Sequence, residues 1–116
     1  LAFVFKDTLA EVAITAQFPI GRMHGTIDRL IITPTKITAV DFKSNAAIPQ
    51  KPDECPNGIL RQMWAYSVAL AAIYPSHKIE TAVVWTKSAK FMSLPHDLVF
   101  EAAKSAGYLD GTDADT

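Results

Sequence analysis

The sequence predicts an α/β fold, a mixed central β-sheet flanked by helices, from three observations. Early segments rich in Val, Ile and Thr carry strand-like patterning. One long apolar stretch free of Gly and Pro follows, and a further Val- and Thr-rich segment comes after it. The 116 residues are 49% apolar and carry 12 acidic against 11 basic side chains, a net charge of −1. That suits one domain with a buried core. It argues against a disordered tail, a collagenous repeat, a disulfide-knotted miniprotein or a strongly basic nucleic-acid module.

The elements follow in order. Val12, Ile14, Ala16 and Phe18 alternate with Ala13, Thr15 and Gln17, the period of a half-buried strand, and Pro19 ends it. The runs Arg22 to Thr33 and Lys36 to Phe42 flank Pro34-Thr35 and read as a β-hairpin, although Pro-Thr is not a preferred two-residue turn. From Ser44 to Gly58 the chain turns to Asn, Pro, Asp and Gly, a connecting loop. Ile59 to Tyr74 is the main helix, with Asn57 placed to cap it. Its apolar residues Leu60, Met63, Trp64, Val68, Leu70, Ala71 and Ile73 surround most of the axis, so cover on more than one side is expected.

Pro75 stops that helix. Ile79 to Thr86 reads as a strand, Phe91-Met92 as a short one, and Pro95 to Ala106 as a second helix. Residues 1–108 are read as one domain, with 109–116 a small, acidic tail expected to fray. The stretch Met63 to Pro75 is too short to span a bilayer, which takes about 20 apolar residues. The single cysteine, Cys55, fits a reducing compartment. The opening run Leu1-Ala2-Phe3-Val4-Phe5 lacks a basic signal region, and the chain reads as a piece of a longer polypeptide.

The hairpin carries the chemistry. If Thr33 faces Lys36, the register sets Asp28 across from Asp41, with Cβ atoms about 4.5–5.5 Å apart on one face. Lys43 points the same way, about 7 Å along the strand. Leu30, Ile32, Ile37 and Ala39 share that face, so the opposed carboxylates are partly desolvated and need a positive partner. A hard divalent ion with oxygen ligands, Mg²⁺ by preference, resolves the repulsion. An Asp-x-Lys triplet alone is usually solvated surface charge; the hairpin geometry sets this one apart. Gln62 and Tyr66, four apart on a helix, can act on one partner.

Together, Gly25-x-x-Asp28, Asp41-x-Lys43 and Gln62-x-x-x-Tyr66 resemble the nuclease domain of the RecB-like branch of the PD-(D/E)XK superfamily. The text from Gly25 to Leu30, Val40 to Asn45 and Arg61 to Tyr66 is similar to the C-terminal end of the AddA family of bacterial helicase-nucleases. The resemblance covers about Glu11 to Leu94 and implies a restriction-endonuclease-like core. It further implies catalytic Asp28, Asp41 and Lys43, a Mg²⁺ or Mn²⁺ ion held by Asp28, Asp41 and the Phe42 carbonyl, and substrate binding by Gln62 and Tyr66, to which Arg29 is added as a residue able to meet phosphate. A further His or Glu is usual in that family on a helix ahead of the first strand, a segment that this chain begins too late to show.

The implied activity is metal-dependent DNA hydrolysis in a cytoplasmic helicase-nuclease of double-strand break repair and recombination. Its partners would be single-stranded DNA, a helicase part of the same polypeptide that uses ATP, and a second, AddB-like nuclease subunit. The competing expectation is an inactive scaffold of the same fold that contacts DNA or a partner subunit. Glu11, read as opening the first strand, and His24, about 13 Å along the strand from Asp28, are further candidates for the site. Arg22, Lys51 and Arg61 are candidate phosphate contacts. Trp64 and Trp85 read as core, Cys55, His77 and His96 lack metal-ligand spacing, and no glycine-rich phosphate loop is present.

Overall fold

A two-residue turn closes the predicted hairpin. In the computed structural model, which describes residues 8–19, 21–45 and 47–108, strand β2 (Gly21–Ile32) and strand β3 (Lys36–Lys43) flank Pro34-Thr35. The Thr33 amide donates to the Lys36 carbonyl at 2.9 Å. The Thr33 hydroxyl accepts from the Lys36 amide at 2.9 Å, a side-chain bond that secures a turn of unfavoured composition. Arg29 pairs with Val40, Leu30 with Ala39, Ile31 with Thr38 and Ile32 with Ile37, the register expected from the sequence.

Strand β1 (Thr8–Phe18) lies antiparallel on the other side of β2. It begins ahead of the predicted Val12, and Glu11, expected to open it, is interior. Beyond β3 a short 3-10 helix (Pro52–Glu54) interrupts the loop, and helix α1 (Asn57–Ile73) leads to strand β4 (Lys78–Trp85), parallel to β3. A two-stranded parallel pair needs such a crossover. Strand β5 (Lys90–Leu94) and helix α2 (His96–Ser105) complete a mixed sheet in the order β1-β2-β3-β4-β5.

Helix α1 starts two residues earlier than expected. Asn57 is its first residue rather than its cap, Pro56 stands at the cap position without a side-chain bond, and the Pro56 carbonyl accepts from the Ile59 and Leu60 amides. Residues 63–67 are buried in succession, so this part of the helix is covered on more than one side, as expected. Ala71 and the 59% exposed Ile73 correct that expectation for the last turn, which runs clear of the core.

Trp64 joins the layers, its ring 5.0 Å from Phe18, 6.3 Å from Tyr108 and 6.4 Å from Phe100. Trp85 is fully buried in β4. Among the described residues no helix is long and apolar enough to cross a membrane. The readings made for Leu1–Phe5 and for 109–116 lie outside the described residues.

Candidate active site

The β2–β3 ladder opens where the two acids stand. Its last pair is Arg29 with Val40, and at the next step the Asp28 carboxylate replaces a backbone partner, with Oδ2 accepting from the Phe42 amide at 2.8 Å. Ile27 and Leu30 are both fully buried, so the inward-facing parity of β2 changes between them. On β1, pairing skips Glu11, whose φ of 53° is left-handed and strained for a residue with a side chain. Two strands thus fork at Asp28, and the carboxyl groups of Asp28 and Asp41 meet in the fork.

Asp41 is 6% exposed, and its carboxyl is pushed up to about 6. Burial is the main cause, the hydrogen bond with Asp28 is the next, and the Lys43 ammonium opposes both. Two carboxyl groups can share a hydrogen bond only while one keeps a proton, a state favoured below about pH 6. Lys43 Nζ lies 3.0 Å from Asp41 Oδ2. That oxygen is buried without a hydrogen bond among the described residues, so the lysine meets it as an ion pair rather than along a bonding direction.

This donor set fits a hard cation: two neighbouring carboxyl groups, one of them with a buried oxygen that has no hydrogen bond among the described residues. Among the described residues no group of three or more His, Cys, Asp and Glu side chains comes together. Mg²⁺, which keeps several waters and binds through one or two carboxylates, therefore suits the site better than a metal needing an all-protein cage.

Helix α1 supplies the other wall. Gln62 Nε2 donates to the Tyr66 hydroxyl at 2.9 Å, and that hydroxyl donates to the Thr26 carbonyl on β2 at 3.0 Å. Burial pushes the Tyr66 phenol up, and the negative charges of Asp41 and Asp28 add to it. The ring packs on Gly25 so closely that a Cβ there would come within 2.7 Å of Cε1. A cavity of about 400 Å³ opens beside this contact, bordered by Lys43, Gln62, Tyr66, His24 and Arg61, with Ile14, Met23 and Ile59 among its apolar walls.

The structure thus brings together Asp28, Asp41 and Lys43, and sets Gln62 and Tyr66 next to them. His24 borders the groove, with Nδ1 3.1 Å from the Thr15 hydroxyl. Arg29 is a correction. Its Nη1 reaches the Thr8 hydroxyl on β1 at 3.5 Å rather than the helix α1 wall, and like Asp28 and Asp41 it is not among the residues that border the cavity. Glu11 faces Asp28 in register but is exposed, with no ladder pair. Arg61 reaches the groove; Arg22 instead bonds Gln17 at 3.4 Å. The roles of Gly25 and the Thr26 carbonyl were not drawn from sequence, although a glycine within a strand pattern signals close approach of another group.

Comparison with known proteins bears on the fold and the family. No curated protein matches the chain. A solved structure from Eubacterium rectale, described as a candidate exonuclease, superposes with a TM-score of 0.57 at 10% identity, covering 93% of this chain and 46% of that one. A second, of a protein designated SSO0001, gives 0.51 at 11% identity, covering 94% of this chain and 51% of that one. The chain therefore spans about half the length of these structures, and at such identity the likeness is one of fold. Residues 4–106 match the family described as the PD-(D/E)XK nuclease superfamily. With that match across most of its length, and with a mixed five-stranded sheet flanked by helices, the chain belongs to the PD-(D/E)XK nuclease superfamily.

Proposed function

We propose that this domain hydrolyses DNA phosphodiester bonds with Mg²⁺ or Mn²⁺, as the exonuclease part of an AddA-like helicase-nuclease acting in double-strand break repair. The observation that carries this reading is the convergence of Asp28, Asp41 and Lys43 in the β2–β3 fork. Asp28 and Asp41 would hold the ion, joined by the Phe42 carbonyl, with water and phosphate oxygens in the remaining positions. When bound, the ion lowers the pKa of water and polarises the scissile phosphoryl group.

The chain's own residues do the rest. Lys43, which pairs with Asp41 at 3.0 Å, would place its ammonium where negative charge develops on phosphate. Gln62 and Tyr66 hold the wall of the groove, and Tyr66 ties that wall to β2 through Thr26. The groove is lined partly by aliphatic side chains, which favours single-stranded DNA with unstacked bases over a duplex backbone alone. The helicase portion, its ATP and an AddB-like subunit are the partners this reading assigns.

The test is cleavage of end-labelled single-stranded DNA by the full-length polypeptide, with Mg²⁺ or with chelator, alongside Asp41→Ala and Lys43→Ala. The expected result is metal-dependent cleavage lost in both variants. Absence of cleavage under every condition favours a scaffold that keeps the nuclease fold.

A further inference from the structure

The loop that follows β3 is fixed to β5. Cys55 is buried, with Sγ 3.7 Å from Met92 Sδ, and Lys90 Nζ donates to the Gln50 carbonyl at 3.4 Å. Within the loop, the Gln50 amide donates to Glu54 Oε1 at 3.0 Å. Between this anchored segment and the end of β4 lies a cavity of about 320 Å³, whose border includes Asn45, Ile48, Pro49, Glu54, Pro56 and Trp85. Pro56 also borders the groove beside the acids, and Trp85 pairs in register with Lys43. Neighbouring strands stand about 4.8 Å apart, so this cavity adjoins the candidate site within the span of one nucleotide.

Trp85 gives the cavity its preference. The residue is fully buried, and its indole Nε1 has no hydrogen-bond partner among the described residues. An indole N–H can only donate, and a buried one ordinarily finds an acceptor. What Trp85 lacks is therefore an acceptor, and the cavity it borders is room for one. Glu54 has the opposite need. Its Oε1 accepts from the Gln50 amide, which holds the carboxylate in place, while Oε2 makes no hydrogen bond among the described residues. Glu54 and Asn45 are exposed and form the rim, and Ile48, Pro49 and Pro56 supply aliphatic walls.

Charge decides which part of a nucleotide suits the cavity. Among the described residues no lysine or arginine borders it, and the Glu54 carboxylate repels anions, so phosphate is disfavoured. A flat, uncharged group that sets an acceptor beside an N–H fits both Trp85 and Glu54. The pairing edge of every nucleobase has that pattern, and the edge is free only when the base is unpaired. We infer that this cavity receives an unpaired nucleobase next to the scissile phosphate, with Trp85 Nε1 donating to the acceptor on its pairing edge and Glu54 accepting from the N–H beside it. The inference rests on the nuclease reading and adds a second reason for single strands: a base held in a duplex has no free edge to offer.

The test needs no cleavage. Short single strands carry 2-aminopurine, a base with a ring nitrogen beside an amine whose fluorescence rises when it leaves its neighbours, at successive positions from one end. They are bound to the full-length polypeptide carrying Asp41→Asn, with chelator and again with Mg²⁺, and the anisotropy of a separate end label reports affinity. A rise is expected at one position. Trp85→Phe and Glu54→Ala should each abolish that rise and weaken binding about fivefold. An abasic site at that position should weaken binding to the Asp41→Asn polypeptide by a similar factor and add little in either further variant. Melting temperatures accompany these measurements. Should Trp85→Phe unfold the core, Glu54→Ala, at an exposed position, still tests the site.

Three results overturn this inference and leave the nuclease reading standing. They are strand binding with no rise at any position, a rise that persists in Glu54→Ala, and an abasic penalty of the same size with and without Glu54→Ala. Failure of every strand to bind, in chelator and in Mg²⁺ alike, overturns both readings together.

Discussion

At the scale of single residues, the proton on Asp41 makes the site measurable without a substrate. Its ordinary value is 3.8 and in the folded protein it stands near 6, so the fold binds this proton more tightly than the unfolded chain does. Stability from this source is complete below about pH 4 and is lost as pH rises through about 6. Metal-free melting temperatures across that window should therefore fall more steeply than those of Asp41→Asn, a comparison that cancels the other carboxylates. Because a cation must displace the same proton, Mn²⁺ affinity measured by calorimetry should rise across the same interval. Lys43 acts against burial at Asp41. In Lys43→Met the transition is expected to move to higher pH, with nuclease activity falling about 10²–10³-fold as for the loss of a preorganised positive group.

At the scale of elements, the pairing of β2 with β3 was readable because a two-residue turn fixes register, and register alone carried Asp28 to Asp41. What pattern could not supply was the fork. An alternation rule continues the ladder past Arg29, whereas Asp28 ends it by taking the Phe42 amide, and the inward side of β2 changes there. Arg29, expected from the sequence to bind substrate beside Asp28, instead reaches the Thr8 hydroxyl on β1. The start of α1 was misplaced because Asn is a favoured cap and Pro56 offers no side-chain bond to mark the boundary. Contact of Tyr66 with Gly25 joins helix to strand. Gly25→Ala would drive a methyl into the ring, and overpacking of this kind costs about 1–3 kcal/mol. Denaturant unfolding should show that loss, and DNA cleavage should fall with it because Gln62 moves with Tyr66.

At the scale of the whole molecule, a net charge of −1 limits how strongly this chain can hold DNA. Lys43 and Arg61 are the lysine and arginine side chains that border the groove. With about two phosphates neutralised, the logarithm of single-strand affinity should change with the logarithm of salt at a slope of about −1.4, shallow for a DNA-binding protein. Fluorescence anisotropy over a salt series measures it, and a slope several times steeper would mean that other surfaces take part. The order of assembly has its own consequence. Everything from Asp28 to Lys43 is delivered by one hairpin, closed over a tight turn, while Tyr66 reaches Thr26 only after the chain has crossed over the sheet through α1. A nascent chain stopped after β3 would already own its acids and its ammonium yet lack the α1 wall, so under the proposed function the groups meant for a cation are made before the groove meant for a strand.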